Sequence, residues 1–311
     1  MKAIIYDKKS KLEPLIFQDV DKPVFGENEL LVKVHASSVN AADYRSMKMG
    51  LIPKSKIFGA DVAGTVEAVG KNVKDFNVGD EVVGDLSAVG FGGFAQYVAA
   101  DKRAFVIKPQ SVSFDMAASV PMAAVTAYQS LIKGNIQPGQ KVLICGAGGG
   151  VGTFAVQLAK HFQSEVTAVC STNNVNVMQQ LKVDHIINYH TDSFTKQEAQ
   201  YDLILAINGN YSLTDYKKAL SSQGTIVIVG GSLSQLLKSL VFGKLLFSGK
   251  KKMLNLSAKP STTDLAMILH LTEQRIVVPV IDRRYPLNKT AEAFKYLQKG
   301  HAQGKVIINI E

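Results

Sequence analysis

Tryptophan is absent from this 311-residue chain, and cysteine occurs only twice, as Cys145 and Cys170. Two thiols cannot build a four-cysteine structural zinc site. Both end apolar, strand-like runs, where buried free thiols are expected rather than a disulfide. No CxxC, HExxH or other compact metal-ligand spacing occurs. A GxxxxGK[ST] phosphate loop is missing too, since 243–250 has neither the spacing nor the hydroxyl. No apolar run approaches the roughly 20 residues that a membrane helix needs. The opening MKAIIYDKKS lacks the apolar core and cleavage site of a secretory signal. The expected location is therefore the cytoplasm, with no membrane partner. Zinc-finger spacing and the aromatic-basic pattern of RNA-binding sheets are also lacking, so no specific nucleic-acid partner is expected. The net charge of +9 comes from scattered lysines, apart from the Lys250-Lys251-Lys252 run. It reads as a solvated basic surface with some attraction for phosphorylated cofactors.

Apolar residues make up 46% of the chain, the share of an ordinary globular protein, so a packed core is expected. There is room for two modest domains. β-branched runs bounded by Gly, Asp, Asn and Pro predict strands at 3–6, 29–36, 64–69 and 81–84. The segment 64–70 (GTVEAVG) alternates inward and outward residues, and 76–83 holds a Gly79-Asp80 turn, as in a rolled antiparallel β domain. An Ala-rich helix is expected at 116–132, with Pro121 in its first turns. After Pro138-Gly139 a regular alternation begins: strand 141–145, helix 151–162, strand 166–170, helix 175–181, strands 185–187 and 203–207, helix 213–220, strand 225–229. Repeated βαβ units of this length predict a parallel, doubly wound sheet. Beyond Ser257 come a helix at 263–273, a strand-like run at 277–281, a helix at 289–298 and a strand at 305–310. This tail can return to complete the first domain. The expected division is a β-rich domain, 1–117 with 258–311, and a Rossmann domain, 118–257. The apolar segment 233–247 fits a buried helix, a dimer contact or a lid.

One segment carries chemistry on its face. From Lys141 an apolar strand runs into glycines and then into a helix, KVLICGAGGGVGT. Read as GxGxxG, the positions are Ala147, Gly149 and Gly152; read as GxxGxxG, they are Gly146, Gly149 and Gly152. Both place the loop identically. Strand before, helix after and a second strand about 20 residues on make a dinucleotide fingerprint. Glycines let the backbone approach a pyrophosphate, and the helix start offers unpaired N–H groups and partial positive charge. Ala147, Gly148, Gly149, Gly150, Val151 and Gly152 are thus the expected cofactor loop. A site for NAD usually ends its second strand with Asp or Glu, on the ribose 2′-OH. Here Cys170 is followed by Ser171, Thr172 and Asn173, which repel no 2′-phosphate and can donate hydrogen bonds to one. NADPH is therefore favoured over NAD, although no arginine is present to fix the choice. Asn208-Gly209 ends the fourth strand and Gly230-Gly231-Ser232 the fifth, where ligands of such sheets bind.

An ordered set of segments resembles the medium-chain dehydrogenase/reductase superfamily, in its zinc-independent quinone oxidoreductase-like branch. The segments are 40–45 (NAADYR), 59–64 (GADVAG), 78–83 (VGDEVV), 126–128 (TAY), the glycine loop and 300–305 (GHAQGK). They run in family order over essentially the whole chain. The resemblance implies a GroES-like catalytic domain beside the Rossmann domain, and commonly a homodimer. It also implies that Asn40, Ala60 and Met122 stand where the zinc alcohol dehydrogenases carry metal ligands, so no catalytic zinc is expected. Without a Lewis acid, alcohol oxidation is hard. Reduction of a quinone or an α,β-unsaturated carbonyl is easier, because charge spreads into an enolate or hydroquinone anion that hydrogen-bond donors can stabilise.

For the catalytic side the candidates are Asn40, Asp43, Tyr44 and Thr126. Asn40 can hold the nicotinamide or a carbonyl oxygen, or simply end a strand. Asp43 can orient Arg45, line the pocket or cap a short helix. Tyr44 offers a phenol, or packs. The resemblance places Thr126 beside the nicotinamide, and Tyr128, on the same expected helix, lines that region or simply packs in the core. It further places Ser171 and Tyr189 at the adenosine ribose or its phosphate, with Thr172, Asn208, Gly230 and Gly231 around the cofactor. His301 and Lys305 in the tail belong to the same expected set, a solvated charge being the other reading of Lys305. The stretch 50–53 has no phenol, which tells against an enoyl-thioester reductase. The resulting reading is a zinc-independent NADPH-dependent oxidoreductase of quinones or enones. Its rivals are a zinc-free alcohol or ketone reductase and a non-catalytic NADPH-binding sensor.

Overall fold

The computed structural model describes residues 1–8, 10, 14–196, 200–208, 211–230, 246–247 and 249–310. They divide into two units, one of 1–125, 260–275 and 279–311, the other of 126–259 and 276–278.

The first unit is organised around the long strand Glu29–Val39, whose inward residues Leu30, Val32 and Val34 are buried. It pairs antiparallel with Asp61–Val69, Tyr97–Asp101 and the tail strand Lys305–Asn309. Glu81–Asp85 and Phe105–Ile107 extend the sheet on one side, and Ile281–Pro286 runs parallel to the tail strand on the other. The antiparallel β domain and the returning tail are thus both present. Gly64 makes the close pairing possible, because a Cβ there would lie 2.2 Å from the Lys33 carbonyl oxygen. The core joins Leu30, Val62, Phe94, Phe294, Val306 and Ile308. The strand expected at 277–281 is displaced to Ile281–Pro286. Pro279 falls inside the expected run and has no N–H for a ladder. The helix expected at 116–132 is two helices, Phe114–Ser119 and Pro121–Lys133. Pro121 cannot continue a helix but suits the first position of a new one.

The second unit is a parallel sheet in the order His185–Asn188, Glu165–Cys170, Lys141–Cys145, Tyr201–Ala206, Leu220–Ile228, Lys252–Asn255. Numbered along the unit this is 3-2-1-4-5-6, the doubly wound dinucleotide-binding order. The sixth strand, Lys252–Asn255, was not expected, because KMLN is short and follows a lysine run. The chain leaves Lys141–Cys145 between two strands that cross over in opposite directions, and that switch point opens a crevice at the carboxyl ends. Helix Gly150–His161 follows the glycine loop, with its face from Gly152 to Ala159 buried. Gln157 clips it to 276–278: its amide donates to the Val278 carbonyl at 3.0 Å and accepts the Val278 N–H at 2.7 Å.

Candidate functional site

In the second unit the site is built on backbone. Gly146 turns at φ +86°, a conformation that disfavours side chains. Gly149 caps the helix Gly150–His161, so the N–H groups of Gly150, Val151 and Gly152 precede its first i→i−4 bond and face outward. A Cβ on Gly152 would lie 2.2 Å from the Gly146 carbonyl oxygen and 2.6 Å from Ala147. The loop can fold back on the helix only with glycine there. Ala147 itself is fully buried. Asn208 packs over the turn: its backbone N–H donates to the Cys145 carbonyl at 3.2 Å, and a Cβ on Gly146 would meet it at 2.9 Å. Gly230 follows Leu220–Ile228, close against the Ile207 carbonyl oxygen. Gly231 and the segment 233–245 lie outside the described residues, as do Gly209 and Ser232.

Beside the loop, two strand ends, Glu165–Cys170 and His185–Asn188, bring together Ser171, Thr172, Asn188 and Tyr189. The Tyr189 N–H donates to the Cys170 carbonyl at 3.1 Å, and its ring is half exposed against His190. No carboxylate follows Cys170 directly. Asn174 is a functional candidate that the sequence reading missed. It is buried, and its Oδ1 has no hydrogen-bond partner among the described residues. Its amide lies across Gly148, whose Cβ would meet it at 2.3–2.7 Å. The three-residue spacing from Ser171 to Asn174, one turn apart, was the available signal.

In the first unit, Asn40, Asp61 and Lys305 form a buried polar cluster. The Lys305 ammonium donates to Asn40 Oδ1 at 2.6 Å and lies 3.3 Å from Asp61 Oδ2. Asn40 Nδ2 donates to Asp61 Oδ2 at 2.8 Å, and Ser38 Oγ donates to the same oxygen. The backbone N–H of Met122 completes Asp61 at 2.9 Å. Lys305 is therefore not a solvated charge: its side chain is 3% exposed. Burial is tolerated because the ammonium has a carboxylate and an amide oxygen within reach.

Asp43 lies behind Asn40. Its Oδ2 accepts the Asn40 backbone N–H at 2.9 Å at the start of helix Ala41–Met49, while Oδ1 has no partner among the described residues. Burial first, and then the neighbouring charge of Asp61, push its carboxyl up to about 7. This is the capping role. Tyr44 packs partly buried against the core, with the Lys48 ammonium 5.6 Å from its ring centre. Thr126 sits half-buried in Pro121–Lys133, and Tyr128 stacks on Phe162 at 6.4 Å. His301 is exposed in the turn before the tail strand. The structure thus gathers the loop, Ser171, Thr172 and Tyr189 in one unit. Asn40, Asp43, Tyr44, His301 and Lys305 belong to the other.

A metal fits this donor set poorly. Asn40 and Asp61 already hold an ammonium, whose charge opposes a cation at the same oxygens. Among the described residues no group of three His, Cys, Asp or Glu side chains could hold a metal ion. Cys145 and Cys170 are buried in the other unit, where loss of solvation raises their thiols to about 12 and about 11. A dinucleotide, by contrast, fits the second unit: Gly146 and Gly152 hold positions that a Cβ would block, and Asn174 leaves a buried oxygen unpaired beside the loop.

Strand order and glycine loop together define a nucleotide-binding oxidoreductase architecture. Comparison with known proteins makes this specific. Residues 26–110 match the family profile described as "Alcohol dehydrogenase GroES-like domain", and 181–308 that described as "Zinc-binding dehydrogenase". The chain is 32% identical over 308 residues to the chloroplast envelope quinone oxidoreductase homolog of Arabidopsis thaliana, covering 93% of this chain and 92% of the relative. It is 29% identical to that plant's chloroplastic NADPH-dependent alkenal/one oxidoreductase, covering 99% and 79%. The solved structure of the quinone oxidoreductase from Coxiella burnetii superposes with a TM-score of 0.89 at 27% identity, covering 100% and 99%. The chain belongs to the medium-chain dehydrogenase/reductase superfamily, in the quinone oxidoreductase-like branch.

Proposed function

We propose that this protein is a zinc-independent, NADPH-dependent reductase of quinones or α,β-unsaturated carbonyls. The observation that carries the reading is the glycine loop between adjacent parallel strands, joined to a second strand whose end presents hydroxyls and amides where an acid would select NAD. Relatives named as quinone and alkenal/one oxidoreductases support the acceptor class. In this reading the backbone N–H groups of Gly150, Val151 and Gly152 hold the pyrophosphate, and Ser171, Thr172 and Tyr189 hold the adenosine ribose and its phosphate. Asn208 and Gly230 line the nicotinamide half.

Bound there, the dinucleotide supplies a hydride equivalent. The chain's own contribution is positioning. Asn40 has both amide hydrogens engaged, at Asp61 and at the Ser38 carbonyl. Lys305 and Asp61 therefore set its orientation. The Lys305 ammonium, its charge balanced by Asp61, anchors the Asn40 amide from the buried side. Tyr44 and Thr126 supply hydroxyls in the same assignment, and Asp43 braces Asn40 from behind. A poor metal donor set supports independence from zinc. No helix among the described residues is long and apolar enough to cross a membrane. A cytoplasmic location and a homodimer complete the reading, and sedimentation of the purified chain checks the dimer.

Steady-state NADPH oxidation tests the assignment, with a quinone, an enone and the matching saturated ketone as acceptors. Turnover of the first two, unchanged by a chelator, is the expected result. Turnover of the ketone alone, or activity lost to the chelator and restored by zinc, would overturn it.

A further inference from the structure

Two side-chain pairs at the end of strand Glu165–Cys170 are arranged alike. Asn174 Nδ2 donates to Ser171 Oγ at 3.0 Å, and Asn188 Nδ2 donates to Thr172 Oγ1 at 3.0 Å. In each pair an amide gives its hydrogen to a hydroxyl of the cofactor-facing turn. For Asn188 the amide orientation is fixed from its other end, because Oδ1 accepts the His190 N–H at 3.1 Å. A hydroxyl has one proton and two lone pairs. Once it accepts from an amide, its proton is left to donate elsewhere. Two adjacent residues thus present hydroxyl protons, with no carboxylate next to them in sequence. The acid of the following turn, Asp192, is already paired with Lys196 at 2.8 Å and capped by the Ser193 N–H. A ribose 2′-phosphate offers only acceptors, and hydrogen bonds to an anion are the strong kind.

We propose that Asn174 and Asn188 determine cofactor choice in this chain, by turning the Ser171 and Thr172 hydroxyls into donors for a ribose 2′-phosphate. This rests on the dinucleotide reading of the glycine loop. The amides take over the selecting role that an arginine would otherwise hold, and both act as positioning residues. Asn188 is half exposed, and the atoms nearest Gly148 are those of Asn174 instead, so the effect of Asn188 is confined to the phosphate. Asn174 also lies over Gly148, which links the phosphate-selecting turn to the pyrophosphate loop.

The test is equilibrium binding to the full-length protein, with NADPH and NADH titrated separately by nicotinamide fluorescence. The unsubstituted protein is expected to bind NADPH at least about tenfold more tightly than NADH. Asn188→Ala should reduce that ratio about fivefold while moving NADH affinity less than about twofold. Asn188→Asp should reduce it further, because a carboxylate draws in the Thr172 proton and repels the phosphate. Asn174→Ala and Ser171→Ala should each lower the ratio, and the double variant should lose no more than the larger single loss, since one acts through the other. Equal loss of both dinucleotides in the two asparagine variants would show a brace for the loop and overturn the proposal. Equal affinity of the unsubstituted protein for NADPH and NADH would overturn it too, while leaving the dinucleotide reading in place. Binding of neither would sink both.

Discussion

Asp43 is a carboxyl held where its charge has little to offset it. Its usual value of 3.8 rises to about 7, through burial and the nearby Asp61. Asp85 moves the same way, to about 6, again chiefly through burial. Raised acids bind protons in the folded state that the unfolded chain has released. Below pH about 4 both states are protonated and the shift contributes nothing. Stability falls as pH rises through the interval between the unfolded and folded values, and the full cost is reached above pH about 7. The melting temperature should therefore decline from pH 5 to pH 8, and Asn in place of Asp43 should flatten that decline, recovering roughly 1–4 kcal/mol at pH 8. Parallel melting curves for the two proteins across that range would contradict the assignment. Nothing in the sequence announces this value. NAADYR shows an acid three residues after Asn40, which licenses a helix cap, but burial depends on strands that arrive from 61 and 305. Gly152 is the opposite case. Its place in the strand–glycine–helix pattern was readable directly, and the structure adds the reason, a 2.2 Å clash awaiting any side chain. Gly152→Ala should weaken NADPH binding at least about tenfold and cost roughly 1–3 kcal/mol of stability. Calorimetry and thermal melts check both.

At the scale of elements, the tail strand Lys305–Asn309 both closes the antiparallel sheet and delivers Lys305 to Asn40 and Asp61. Removing the ammonium leaves a buried carboxylate with its amide and hydroxyl donors but no countercharge. Such losses run to about 3–5 kcal/mol, so Lys305→Met should melt roughly 10 °C lower. A melting temperature within about 2 °C of the parent would show that the cluster is not held by its charge. Periodicity located this strand, most of the helices and the central parallel strands, because each is long or strongly patterned, but it gave no helix at Ala41–Met49. It failed at 277–281, where Pro279 interrupts an apolar run, and at 116–132, where an unbroken Ala-rich pattern conceals the restart at Pro121. Short strands such as Leu15–Asp19 and Lys252–Asn255 carry too few residues for a period to show, and their place is set by the partner strand.

Over the whole molecule, the parallel doubly wound sheet and the rolled antiparallel sheet followed from pattern, whereas the order 3-2-1-4-5-6 came only with the structure, and the chemistry came from what each site lacks and what replaces it. Hydroxyls held by amides stand where an acid would select NAD, and a lysine ammonium donates to the amide oxygen of Asn40, the residue at a family metal-ligand position. In the proposed reading, the ammonium on Asn40 supports hydride delivery onto a conjugated acceptor, without metal polarisation of a carbonyl. The most direct measurement is the fate of the hydride itself. An enone is reduced with NADPH carrying deuterium at the transferable position, in the presence of a chelator, and the product is read by NMR. The account predicts deuterium on the β-carbon and an intact carbonyl. Deuterium on the carbonyl carbon, with formation of the alcohol, would contradict it.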